Sequence, residues 1–85
     1  MQSLQVLPNP IRKQLLVAIN SNIESQAQFT IFDVNGNAML GFNEVISRGY
    51  NVISYKNTSD LADGNYYLQL QIGGKYFVEK FVKKQ

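Results

Sequence analysis

Carboxylates are the side chains of this sequence best suited to acid–base chemistry. The chain has six of them: Glu24, Asp33, Glu44, Asp60, Asp63 and Glu79. A glycosidase needs two facing carboxyl groups about 5–10 Å apart, and the spacing here places no two of them close together on one strand face. The sequence also lacks His and Cys, which excludes Ser-His-Asp triads, thiol nucleophiles and the usual zinc sites. We therefore expect no enzymatic activity.

The segment Asp33-Val34-Asn35-Gly36-Asn37 resembles the beginning of a calcium-binding loop. The rest of an EF-hand loop is missing, including the bidentate Glu that closes it. An Asp that opens a hairpin accepts backbone N–H bonds without any metal. We therefore expect a turn at this segment, and no metal or other cofactor in the domain.

Basic and aromatic residues interleave along residues 75–85. Such a pattern occurs on nucleic-acid-binding surfaces, but an edge strand that guards its edge with lysines has the same pattern. The formal net charge of +2 is too small to indicate nucleic acid by itself. We favour an edge strand and expect no nucleic acid as a partner. Such an edge can accept a strand from another protein, which leaves open a dimer through edge strands.

Alternation with period two predicts the strands that position these residues. One set of apolar residues is expected to face inward: Leu15, Val17, Ile19, Ala27, Phe29, Ile31, Tyr66, Leu68, Leu70 and Ile72. Asn35-Gly36 predicts a β-hairpin with a type I′ turn, and Gly73-Gly74 predicts a second tight turn. In residues 50–55 the pattern is less regular, because Val52 and Ile53 compete for the inward position.

About seven short strands follow from this spacing, with little sign of a helix, which indicates an all-β fold. We expect a single domain over residues 1–85 that forms an antiparallel β-sandwich. No stretch approaches the ~20 apolar residues that a transmembrane helix needs. Pro8 and Pro10 restrict the backbone around them, so residues 7–10 are expected to form a stiff, extended lead-in to the domain.

Four segments, in this order, resemble the type A C-terminal sorting domain of the type IX (Por) secretion system of Bacteroidetes. The matching residues are Pro8-Asn9-Pro10, the hairpin residues Asp33, Asn35 and Gly36, then Leu61, Gly64 and Tyr66 of a Leu-Ala-x-Gly-x-Tyr signature, and Lys80 with Lys84 of a closing Lys-x-x-x-Lys pattern. The resemblance spans residues 4–84. It implies an immunoglobulin-like sandwich, in agreement with the strand pattern.

The resemblance implies recognition as the function. Such domains end larger exported proteins, so the implied partners are an N-terminal cargo domain, an outer-membrane shuttle protein, the translocon and a sortase that removes the domain. The implied route runs through the periplasm to the cell surface or the medium. The residues hypothesised to be recognised are Gly64, Tyr66, Lys80, Lys83 and Lys84.

A second interpretation is a fibronectin-III-like adhesion or carbohydrate-binding module of a surface protein. The lack of Trp and of paired acids counts against sugar binding. Four tyrosines, however, are candidates for a stacking platform: Tyr50, Tyr55, Tyr67 and Tyr76.

Overall fold

The computed structural model describes residues 3–7, 11, 13–56 and 58–84, and within these ranges it contains no helix. Its seven strands are β1 (Ser3–Leu7), β2 (Leu15–Ser21), β3 (Ser25–Asp33), β4 (Ala38–Ile46), β5 (Gly49–Tyr55), β6 (Gly64–Ile72) and β7 (Lys75–Lys83). A search of the described residues for a helix long and apolar enough to cross a membrane finds none.

The strands form two antiparallel sheets. One has three strands in the order β1-β2-β5, and the other has four in the order β4-β3-β6-β7. The first, second and fifth strands thus face the third, sixth and seventh, as in an immunoglobulin-like sandwich, and the fourth strand lies beside the third. The predicted all-β sandwich of about seven strands is confirmed.

The core lies between the sheets and is built from the inward rows of each strand. All the residues predicted to face inward are buried, with Leu15, Val17, Phe29, Ile31 and Leu68 fully so. Burial of one such side chain contributes about 1.5–3 kcal/mol. In β5 it is Ile53 that faces the core, while Val52 is 58% exposed. Pairing with β2 decides this competition, because it places Ile53 opposite the buried Val17.

The hairpin predicted at Asn35-Gly36 is present, but the type I′ turn is wrong. A type I′ turn needs positive φ at both central residues, and only Gly36, at +86°, has it. The N–H of Gly36 donates to the carbonyl of Asp33 (3.1 Å), and the N–H of Asp33 donates to the carbonyl of Asn37 (3.0 Å). The loop thus has three residues, as in a type I turn followed by a glycine bulge. Positive φ at two successive residues occurs instead at Gly73-Gly74 (+57° and +77°).

The carboxylate of Asp33 decides which turn forms. Its Oδ1 accepts the N–H groups of Asn35 and Asn37, each at 2.9 Å, and its Oδ2 accepts the side-chain amide of Asn37 at 3.1 Å. These bonds bridge the whole loop. The expectation that this Asp is satisfied by backbone N–H groups is confirmed.

We expect the stability conferred by Asp33 to depend on pH. The hydrogen bond from the N–H of Asn37, above all, lowers the pKa of this carboxyl below its ordinary value. The carboxylate therefore stabilises the folded state above the unfolded pKa, near 3.9, and this contribution is lost as the pH falls through the lower folded value. Asp33→Asn should unfold more easily than the wild type at pH 7. Urea titrations over a pH series should show the difference shrinking below about pH 4, and a constant difference would contradict the assignment.

The path of the chain before β2 differs from the expected lead-in. The strand β1 precedes Pro8 and pairs with β2 in the three-stranded sheet, so the domain begins before the Pro-rich segment. Ile11, just after it, forms a parallel bridge with Lys83 of the four-stranded sheet. The chain thus changes sheets between Leu7 and Ile11. Pro8, Asn9 and Pro10 themselves lie outside the described residues.

Candidate recognition site

Segments far apart in the sequence meet at one end of the four-stranded sheet. Asp33, the last residue of β3, lies opposite Tyr66 of β6. Gly64, the first residue of β6, lies opposite Lys83, the last residue of β7. Ile11 bridges to the same Lys83. We call this region the convergent end, defined by residues 11, 33–36, 61–66 and 80–84.

The segment 61–66 owes its path to a turn and a glycine. The N–H of Leu61 donates to the carbonyl of Thr58 at 3.0 Å, and the Leu61 side chain is buried. Gly64 then enters β6 with φ at +154°, a conformation that residues with a side chain rarely adopt. Open space surrounds the position that a Cβ would occupy. The backbone conformation therefore favours glycine here, whereas steric crowding does not require it.

Tyr66 fastens this segment to the core. Its ring is buried and stacks on Phe81, with the centroids 5.7 Å apart. Its hydroxyl donates to the carbonyl of Ala62 at 2.6 Å. A buried tyrosine needs such a partner for its polar end. Tyr66 therefore supports the shape of the convergent end from inside.

Lys83, the last residue of β7, binds the same segment. Its side chain is 1% exposed, and its Nζ donates to the carbonyl of Leu61 at 3.0 Å. Lys83 and Tyr66 thus bind two consecutive carbonyls, those of Leu61 and Ala62. Neither side chain is available for direct contact with a partner in this conformation.

Ile11 hydrogen-bonds to the backbone at the C-terminal end of β7. Its N–H donates to the carbonyl of Val82 at 2.7 Å, and its carbonyl accepts the N–H of Lys84 at 2.9 Å. Its side chain is fully buried. The residue that follows the Pro-rich segment is therefore hydrogen-bonded to the backbone of the closing Lys-x-x-x-Lys segment.

Lys80 and Lys84 are the exposed lysines of the convergent end. Lys80 lies opposite Tyr67 on the outer face of the four-stranded sheet. Lys84 follows β7. Its backbone N–H donates to the carbonyl of Ile11, and this bond fixes the position from which its side chain projects. Of the five residues hypothesised to be recognised, these two therefore have accessible charged groups, whereas Tyr66 and Lys83 are buried.

The chemistry that the convergent end offers is that of shape and of charges of both signs, since exposed Lys80 and Lys84 share it with the carboxylates of Asp33 and Asp63. Among the described residues, no group of three or more His, Cys, Asp or Glu side chains could hold a metal ion. The tyrosines proposed as a stacking platform do not share one surface. Tyr50 belongs to β5 of the other sheet, and Tyr55 stacks on Phe42 with the centroids 4.4 Å apart.

Two features of the site were missed at the level of the sequence. Lys83 is two residues after the buried Phe81, so period-two alternation could have indicated that it points inward. Ile11 carries no such signal, because it pairs as a single residue with a strand about 70 residues away. Its position depends on the chain changing sheets.

In a comparison with known families, the chain matches the family described as the secretion system C-terminal sorting domain over residues 5–84. The match covers nearly the whole chain and includes every segment of the convergent end. A comparison with curated proteins gives no significant match.

Proposed function

Because the chain belongs to the family of secretion-system C-terminal sorting domains, we propose that a type IX translocon recognises it at the convergent end of its sandwich. The family match over residues 5–84 carries this proposal. A sorting signal of this family implies a cargo domain, a translocon and export to the cell surface or the medium in Bacteroidetes. The family is in general non-catalytic.

Within the convergent end, we assign direct contact to Lys80 and Lys84. Both side chains are exposed, and exposed lysines attract and orient an acidic partner surface. Gly64, Tyr66 and Lys83 act indirectly, because they determine the path of the segment 61–66. The buried side chains of Lys83 and Tyr66 donate to the consecutive carbonyls of Leu61 and Ala62 and so stabilise the conformation of this segment.

A signal shared by unrelated cargoes has to fold without help from them. The buried cluster of this domain draws its residues from both sheets of the same chain, which supports autonomous folding of a single domain over residues 1–85. We further propose that the shuttle protein meets the folded domain in the periplasm and that a sortase removes it at the cell surface.

Charge reversal at the exposed lysines tests the proposed recognition. A reporter carrying a Sec signal and this chain would be expressed in a type IX-competent Bacteroidetes host, and its distribution between periplasm and medium would be measured. We expect the double variant Lys80→Glu and Lys84→Glu to remain in the periplasm, because it repels an acidic partner surface. Lys75→Glu is the matched control, since Lys75 is exposed on the same strand at its opposite end.

The outcomes separate the alternatives. Equal export of the double variant and the Lys75→Glu control would contradict recognition through Lys80 and Lys84. Periplasmic retention of the folded wild-type fusion would contradict the sorting function itself. In that case a glycan pull-down tests the adhesion or carbohydrate-binding alternative. Circular dichroism melts of each variant show whether the fold is retained.

A further inference from the structure

A row of three amides and a tyrosine crosses the outer face of the four-stranded sheet. Gln28 of β3 lies opposite both Asn43 of β4 and Gln71 of β6, and Gln71 lies opposite Tyr76 of β7. Phe29, the neighbour of Gln28, is buried in the core, so by strand alternation the row faces outward. All four of its side chains are exposed. We call these four residues the amide row, which spans about 14 Å at the usual spacing between strands.

Two adjacent depressions in the surface border the amide row. The first has a volume of about 260 Å³ and is lined by Gln26, Gln28, Asn43, Gln71 and the Gly73-Gly74 turn. The second has a volume of about 390 Å³ and shares Gln26 and Asn43 with the first. Together they reach the size of small-ligand sites, roughly 300–1,000 Å³. The surface beside the amide row is therefore concave enough to hold a small molecule.

The first depression is polar but uncharged. No Lys, Arg, Asp or Glu is among its lining residues. Each side-chain amide offers a carbonyl oxygen as acceptor and an NH2 group as donor. Within the part of the chain that the structure describes, the side-chain amides of Gln28, Asn43 and Gln71 have no hydrogen-bond partner. They can therefore bind a ligand without breaking bonds inside the protein.

We propose that the amide row binds a short neutral oligosaccharide. A sugar hydroxyl both donates and accepts hydrogen bonds, as a Gln or Asn amide does, so the amides of Gln28, Asn43 and Gln71 match its hydroxyl groups. Tyr76 is 60% exposed, and its ring offers an apolar face on which a sugar ring stacks. The site lies at the end of β6 opposite the convergent end, so it is separate from the surface assigned to sorting.

The chemistry of the amide row disfavours other classes of ligand. A phosphate-rich ligand requires Lys or Arg; Lys75, beside Tyr76, lies opposite the buried Ile72 and so belongs to the other face of the sheet. A membrane or an apolar helix requires an apolar surface, whereas three of the four residues carry amides. An extended peptide pairs with the edge of a sheet and not with its face.

Titration followed by NMR suits the weak binding expected of a site open to solvent. The probes are maltohexaose, mannohexaose and chitohexaose, and the side-chain NH2 groups of Asn and Gln give resonances of their own. We expect at least one of these hexasaccharides to shift the side-chain resonances of Gln28, Asn43 and Gln71 together with the ring resonances of Tyr76. The side-chain resonances of amides on the three-stranded sheet should stay in place.

Two substitutions in the amide row test the assignment. Gln71→Ala and Tyr76→Ala should each raise the dissociation constant about twofold to tenfold, because each removes a hydrogen-bonding or stacking contact. Gln5→Ala and Tyr50→Ala are the matched controls, since both residues are exposed on the three-stranded sheet, and they should leave the constant unchanged. All four side chains are exposed, so the backbone spectrum of each variant should show that the fold is retained.

Absence of shifts with every neutral hexasaccharide would overturn the proposal. So would binding that Gln71→Ala and Tyr76→Ala leave unchanged, or binding that the two control variants weaken equally. Shifts of the same resonances by heparin and by none of the neutral probes would also overturn it, because they would assign the site to anions.

Discussion

Replacing Lys83 by alanine is expected to lower the free energy of unfolding by about 2–3 kcal/mol, whereas the same change at Lys84 should alter it by less than about 0.5 kcal/mol. Lys83 is 1% exposed, and its Nζ donates to the carbonyl of Leu61. Alanine removes buried methylene groups worth about 0.8 kcal/mol each. It also leaves that carbonyl without its donor, at a cost of about 1–3 kcal/mol, while relief from burying the ammonium offsets part of the loss. Urea denaturation of the two variants gives the comparison directly.

Lys83→Met separates the two contributions. Methionine keeps most of the buried stem but cannot donate to the carbonyl of Leu61, so this variant should fall between wild type and Lys83→Ala. For a domain of this length, 2–3 kcal/mol corresponds to a fall in Tm of about 10–20 °C. Equal stability of Lys83→Ala and Lys84→Ala would contradict a structural role for Lys83.

Deletion of residues 80–85 is expected to abolish the fold. The deletion removes Phe81, which is fully buried against Tyr66, and truncation of such a phenylalanine alone costs about 3–5 kcal/mol. It also removes Lys83 and the backbone that bonds to Ile11. Since a small domain has roughly 5–15 kcal/mol of stability, the sum leaves little or none. Circular dichroism should show loss of the cooperative thermal transition.

This result matters for any export assay, because the shortened chain loses its fold together with its terminal lysines. The double variant Lys80→Glu and Lys84→Glu is the matched control, since it alters exposed side chains and should retain a cooperative transition near that of the wild type. A deleted chain that still melts cooperatively at the wild-type temperature would show that the end of β7 is dispensable for folding.

Local patterns were enough to predict most of the strands. The inward rows of β2, β3 and β6 follow from period-two alternation, a property of neighbouring residues alone. Both hairpins follow from glycines in short polar segments. The type of the first turn did not follow, since the Asp33 carboxylate binds Asn35 and Asn37 and a three-residue loop forms instead of a two-residue one. In β5, Val52 and Ile53 could not be separated until pairing with β2 was known.

By itself, the sequence determined the fold class, the family to which the chain belongs and the absence of His and Cys, which the usual zinc sites and thiol chemistry require. These properties depend on composition, local alternation and the order of short segments, all of which can be read along the chain. Only the tertiary structure decided which of the closing lysines are accessible. Lys83 is buried because Leu61, 22 residues earlier, offers its carbonyl, and Lys84 is positioned by Ile11. Such contacts join segments that are distant in the sequence, so they exist only once the chain has folded.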